Sequence, residues 1–197
     1  MSAAVRQMAA RRSIHLSYVS TPAAIRSGPV LSRFGPMVYR ITCVCLGNIC
    51  RSPMAEVVIR HEIESAGLAD RVILESAGTG HWHVGHDADP RARLTLESAG
   101  YTFEHAARQF EPQWFSDSDL ILAMDSENLT NLQNLAETYG ETAPDIRLLR
   151  SFDPTAETNA EVPDPYYGGE EGFTEVLHMV QRAATGVVDS ITAELAK

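Results

Sequence analysis

Acidic residues are missing from the first forty positions, lysine occurs once in the whole chain, at Lys197, and no cysteine follows Cys50. Each absence excludes something. Three cysteines confined to positions 43, 45 and 50 cannot cross-link a chain of 197 residues, so a disulfide scaffold is excluded and a reducing, cytoplasmic setting is expected. A closed zinc site wants four well-placed ligands, and the sequence around the thiols supplies no obvious fourth. Nowhere do apolar residues approach the roughly 18 in succession needed to span a bilayer, and the first forty residues hold no apolar run suited to a secretory signal. No membrane partner is expected.

What is present divides by charge. Six arginines stand among residues 1–40 without an acid, so the remainder, with 10 basic and 26 acidic residues, carries −16. Nucleic acid is not an expected partner for such a field. Residues 1–36 mix Arg, Ser, Ala, Gly and Pro without a sustained apolar period, and so offer little surface to offset the entropy of ordering. The expected organisation is a disordered or removable N-terminal extension over 1–38 and one folded domain over 39–197. For the extension, a genuine tail, a start misassigned ahead of Met37 and an Arg-rich transit peptide all fit the composition.

From Tyr39 short apolar runs alternate with amphipathic segments, the order of a parallel sheet covered on both faces. The expected fold is α/β: a single three-layer domain with a central four-stranded parallel sheet and helices on both faces. Strands are expected at 39–44, 72–75, 120–123 and 146–149. Helices are expected at 53–66, with Ser52 as N-cap, Pro53 pre-set for the first position and Gly67 closing the end. Others are expected at 91–99, ending at Gly100, and from Asp125 to about residue 139. A loop rich in Pro, Asp and Gly fills 151–172. Beyond it Phe173, Leu177, Val180, Ala184, Val187, Ile191 and Leu195 recur in steps of three and four, so one face of a long helix must be buried.

In an open parallel sheet, ligands gather where strands end and loops lead into helices. The first such loop reads Cys45-Leu46-Gly47-Asn48-Ile49-Cys50-Arg51-Ser52. It sets a thiol at a strand end and an arginine six residues later, beside a helix N-terminus that favours an anion. Phosphate is the natural guest. A nucleotide-binding Walker loop would need a Lys-Ser/Thr pair after spaced glycines, and this loop has one glycine and no lysine. The same helix end and cation favour Cys45 as a thiolate. Arg51 offers a planar fork for two phosphoryl oxygens. Amides from Leu46 through Arg51, including those of Ile49 and Cys50, can surround the remaining oxygens if Gly47 and Asn48 supply left-handed backbone. Ser52 can donate its hydroxyl to the Cys45 sulfur. Cys43 faces away from Val44 along the strand and reads as core.

Residues 44–53 resemble the signature of the low-molecular-weight protein-tyrosine phosphatases. Asp164-Pro165-Tyr166-Tyr167-Gly168 is similar to that family's acid loop, and the segments around Ser76, Trp82, His105 and Met124-Asp125 follow in its order. The likeness covers 39–197. It implies a phosphatase that hydrolyses phosphotyrosine and other aryl phosphate esters through a phosphocysteine, without metal or other cofactor. In that scheme Cys45 attacks, Arg51 stabilises the equatorial charge, and Asp164 serves as acid and then base. Local sequence alone leaves Asp164 equally readable as a turn-forming residue before proline. The resemblance further implies that Cys50 protects Cys45 by a reversible disulfide. Asn48, with Ser76 and His105, braces the loop, and Leu46, Trp82 and Tyr166 form the substrate rim. Ile49 stands where related arginine phosphatases carry Thr. The implied partners are phosphotyrosine-containing proteins, and the implied state is a monomer or weak homo-oligomer.

Two rivals remain. Thioredoxin-coupled arsenate reductases share this fold and loop but relay a disulfide through further cysteines, which this chain lacks after Cys50. A non-catalytic phosphate-binding module would have no need of Asp164. His81, His83 and His86 around Trp82 match no compact metal-ligand spacing, so a solvated rim loop is expected there.

Overall fold

The computed structural model describes residues 38–197. The expected extension therefore lies, apart from Val38, outside the described residues. Strand β1 (Tyr39–Cys45) runs through the middle of the sheet, with β2 (Val72–Gly78) on one side and β3 (Leu120–Ala123) and β4 (Asp145–Leu148) on the other. All neighbouring strands are parallel, in the order β2-β1-β3-β4. The chain leaves β1 for one neighbour and returns later to the other, so the order reverses beside β1, and a crevice is expected at its carboxyl end. Register brings Cys45 opposite Gly78, and Val44 opposite both Ala77 and Ala123.

The period of two along β1 divides its side chains between two cores. Ile41, Cys43 and Cys45 join the cluster covered by α1 (Arg51–Ser65), α2 (Pro90–Ser98) and α5 (Glu170–Leu195). Val44 joins the smaller cluster on the opposite face, under α3 (Trp114–Asp117) and α4 (Ser126–Tyr139). The sheet is thus the middle of three layers. Helix α5 buries Phe173, Leu177, Val180, Ala184, Val187 and Ile191 of the expected stripe, while Leu195 is only partly buried. Each buried Phe, Leu, Val or Ile of that stripe contributes about 1.5–3 kcal/mol by leaving water, and Ala184 less.

Several boundaries differ from expectation. Helix α1 starts at Arg51 with Cys50 at the cap position and no capping side chain, so Ser52 is not the N-cap. Its hydroxyl is turned to the Cys45 sulfur instead. Gly67 does lie in the left-handed region just past the helix, at φ 71°. Asp89 caps α2 by accepting from the amide of Arg91, which moves that helix start to Pro90. Strand β2 runs three residues further, to Gly78. Strand β4 ends at Leu148 because Leu149–Phe152 tightens into a 3-10 turn. That turn and α3 are four residues each, too short to leave a periodic signature.

Candidate active site

The loop that leaves β1 curls back over its own first residue. The amide of Asn48 donates to Cys45 Sγ at 3.3 Å, and Ser52 Oγ lies 3.0 Å from the same sulfur. Ser52 Oγ accepts from Asn48 Nδ2 at 2.9 Å, which leaves its own hydrogen for the sulfur or for Ala77 O at 3.3 Å. The sulfur thus receives the Asn48 amide, and Ser52 can add a second donor.

Asn48 is completely buried and takes φ 55°, a left-handed conformation that asparagine tolerates better than most residues. Its polar groups are engaged throughout. Nδ2 also donates to Ser76 Oγ at 2.9 Å, Oδ1 accepts from Arg108 N at 2.8 Å, and the carbonyl bonds His105 Nε2 at 2.7 Å. Ser76 and His105 therefore both meet Asn48, one at the side chain and one at the backbone. Gly47, by contrast, has no positive φ. A Cβ there would stand 2.9 Å from the ring of His83, so that side chain would have to move.

A second glycine underlies the loop. A Cβ on Gly78 would lie 2.7 Å from Leu46 O and 3.0 Å from Asn48 N, so β2 can pass beneath the loop only without a side chain there. The next two amides fasten it, Thr79 N to Cys45 O at 2.9 Å and Gly80 N to Leu46 O at 2.8 Å.

Arg51 projects from the first turn of α1 and is 3% exposed. Nη1 bonds Asp125 Oδ2 and, at 3.3 Å, the carbonyl of Val162, while Nη2 donates to Asp164 Oδ2 at 2.8 Å. Burial alone would weaken its hold on the proton. The Cys45 sulfur and the carboxylates of Asp164 and Asp125 outweigh that and raise its pKa, so Arg51 stays charged. Asp125 also caps α4 through Asn128 N. Asp164 keeps its other oxygen on Tyr166 N at 3.1 Å, so the turn expected before the proline and the approach to the arginine exist together.

The other two sulfurs differ in kind. Burial pushes the thiols of Cys43 and Cys50 well up, and both remain protonated. All three cysteines are unpaired. A cavity of about 320 Å³ opens over Cys45, Arg51 and Asp164, rimmed by Leu46, Trp82 and Tyr166. Its wall includes Ile49, Cys50, His83 of the expected rim loop, and Tyr167, which sequence reasoning did not place there. His81 stacks on Trp82 with ring centroids 5.4 Å apart. Among the described residues no three His, Cys, Asp or Glu side chains stand close enough to hold a metal ion, and no helix is long and apolar enough to cross a membrane. A larger cavity, about 410 Å³, lies between α1 and residues 100–105, but it has no thiol, and its arginine, Arg60, is paired with Glu56.

Asp125 and Gly78 escaped the sequence reading as parts of the site. Asp125 carried two visible signals, as a helix cap and within a segment of the family likeness, but neither gave it a role beside Arg51. Gly78 carried none, because the close approach it permits arises between distant segments.

Residues 40–197 match the family described as low molecular weight phosphotyrosine protein phosphatase. A low molecular weight protein-tyrosine-phosphatase of Streptomyces coelicolor is 51% identical over 160 residues, 81% of this chain and 97% of that protein. Among solved structures, a protein tyrosine phosphatase from Entamoeba histolytica with Hepes in its active site aligns with TM-score 0.73 and 37% identity, over 79% of this chain and 98% of that one. A Drosophila arginine phosphatase aligns with TM-score 0.71 and 29% identity, over 78% and 98%.

Proposed function

The chain belongs to the low-molecular-weight phosphotyrosine protein phosphatase family and is a protein-tyrosine phosphatase, and from that premise we propose how its own residues perform the hydrolysis. The thiolate of Cys45 attacks phosphorus opposite the ester oxygen. The S–P bond forms, the P–O bond breaks, and the departing phenolate takes a proton from Asp164. Arg51 and the loop amides hold the three equatorial oxygens, where charge accumulates. Asp164, now a carboxylate, takes a proton from water as the water attacks the phosphocysteine. Inorganic phosphate leaves and the thiolate returns. No step calls for a metal or an organic cofactor. Positioned acid and base catalysis of this kind contributes roughly a hundred- to ten-thousandfold.

The observation that carries the reading is the convergence on one sulfur of the Asn48 amide at 3.3 Å and Ser52 Oγ at 3.0 Å, with Arg51 bridging to Asp164 at 2.8 Å beside it. Asn48, Ser76 and His105 act as positioning residues. Leu46, Trp82 and Tyr166 grip the phenyl ring and set a depth that phosphoserine is too short to cross. Ile49 lines the same cavity with an apolar side chain, which favours an aryl ester over phosphoarginine. Cys50, held as a thiol beside the nucleophile, serves to trap an oxidised Cys45 as a reversible disulfide.

The proposal extends to the setting: a cytoplasmic enzyme, monomeric or weakly self-associating, acting on phosphotyrosine proteins and not on nucleic acid. Residues 1–38 are proposed as an extension outside the catalytic domain, and the family match beginning at residue 40 supports this. Cys45→Ser should abolish phosphate release from aryl phosphates, whereas activity equal to wild type would remove Cys45 from the mechanism. Captured on beads, the same variant should retain phosphotyrosine proteins from a lysate. Retention of phosphoserine proteins or small phosphometabolites alone would end the tyrosine assignment.

A further inference from the structure

We infer that Asp89 and Arg91 form a clamp between the phosphate loop and the acid loop, and that Arg91 thereby positions Asp164 for protonating the leaving group. The inference rests on the reading of Asp164 as the acid. Arg91 Nη2 donates to Tyr166 O at 3.0 Å and Nη1 to Gly168 O at 3.1 Å, so one guanidinium holds two carbonyls of the loop that follows Asp164. Tyr166 is also the residue whose amide holds Asp164 Oδ1, at 3.1 Å. One of the two carbonyls that Arg91 grips therefore belongs to the residue whose amide orients the carboxylate.

The guanidinium is itself fixed from behind. Asp89 accepts Nε on Oδ1 at 3.0 Å and Nη2 on Oδ2 at 2.8 Å, a two-point match that only a planar fork makes. The ring of Phe173, 4.6 Å from the guanidinium carbon, supports its face. Asp89 is 9% exposed and is tied in turn to the phosphate loop, its amide donating to Ile49 O at 2.7 Å. The connected path runs from Ile49 through Asp89 and Arg91 to Tyr166 and Gly168. On its far side the acid loop is exposed, Tyr167 by 94%, and its other anchors are the Arg51–Asp164 pair and the buried Pro165. Arg91 does not line the cavity over Cys45, which makes it a positioning residue rather than a catalytic one.

Two substitutions test the clamp. Arg91→Met keeps an unbranched stem over Phe173 and removes every side-chain donor, leaving the amide that Asp89 caps. Asp89→Asn retains a good N-cap for α2 while removing the charge that orients Arg91. Thermal melts establish that each variant is folded, and kcat/KM is then measured for aryl phosphates whose phenols range from good to poor leaving groups. Wild type should show a shallow dependence on the leaving group and Asp164→Ala a steep one. Both clamp variants should lose about tenfold or more with phenyl phosphate but less than about threefold with 4-nitrophenyl phosphate, a fraction of the whole acid effect. Adding Arg91→Met to Asp164→Ala should cost less than about twofold further, because both act through one group. A loss equal for all leaving groups, or an undiminished Arg91→Met effect in the Asp164→Ala background, overturns the clamp alone. A shallow dependence in Asp164→Ala overturns the acid assignment, and the clamp falls with it.

Discussion

At the scale of single residues, the site depends on side chains that are absent as much as on those present. Gly78 allows β2 to run under the phosphate loop with no more than backbone between them, and the atoms a Cβ would meet there, Leu46 O and Asn48 N, are backbone that cannot rotate aside. Gly78→Ala should therefore displace the loop amides while leaving the cores intact. The expected outcome is a rise of about tenfold or more in the inhibition constant for inorganic phosphate, the size of effect that small misplacements of positioned groups produce. Unchanged phosphate inhibition would show that the loop absorbs the methyl group. Cys45 and Arg51 stand out in the sequence because a thiol at a strand end six residues before an arginine is a scarce pattern, whereas Asp164, one of 26 acidic residues, is singled out only by the resemblance of its loop. Asp125 could not be singled out, because its capping of α4 already accounted for an aspartate at that position, and its second duty to Arg51 emerges only when 74 residues of chain are folded back.

At the scale of elements, α1 is a helix whose first turn serves chemistry before stability. It begins without a capping side chain, and the serine that looked like its cap bonds sulfur. Ser52→Ala should accordingly cost little folding stability, well under the roughly 0.5–2 kcal/mol lost with a true N-cap, yet slow turnover substantially. Urea midpoints and kcat on the same preparation check this, and a large midpoint shift with normal turnover would restore Ser52 to the cap. Strands and long helices were readable here because their apolar residues repeat with a period of two or 3.6. Helix α3 and the 3-10 turn at Leu149–Phe152 are each a single turn long, and no period can be read from one repeat. The start of α2 at Pro90 has a related cause: with only Ala92 and Leu96 buried, its apolar pattern is too sparse to fix the boundary, and the Asp89 cap emerges only in the folded chain.

At the scale of the whole molecule, the exit from β4 is fastened to α5 by one buried acid. Asp153 is 4% exposed and accepts from Thr155 N at 2.9 Å, Thr155 Oγ1 at 2.7 Å and Arg182 Nε at 3.1 Å. Burial alone would raise its pKa, but these donors outweigh it and hold the carboxyl below its ordinary value of 3.8. A depressed folded-state pKa gives stability that is present above the unfolded value and is lost as pH falls through the folded one. Asp153→Asn should thus be less stable than wild type at pH 7, by about 1.5–3 kcal/mol for hydrogen bonds to a charged group. The difference should shrink as pH drops below 3.8. Denaturation curves at neutral and acid pH decide it, and a gap independent of pH would assign the effect to packing. The three-layer arrangement was legible from the alternation of strands and helices, whereas this fastening was not, since it joins residues 29 positions apart within what read as a loop and a helix.

The unequal treatment of the three sulfurs has a practical corollary. One is sealed inside the sheet, one is kept protonated in the cavity wall, and one lies at the cavity floor with the Asn48 amide donating to it and Ser52 Oγ beside it. An anionic alkylating reagent such as iodoacetate should therefore modify the native enzyme once per chain, at Cys45, and inorganic phosphate should shield it. Intact-mass measurement would count the adducts, and the number should rise to three only when the protein is unfolded.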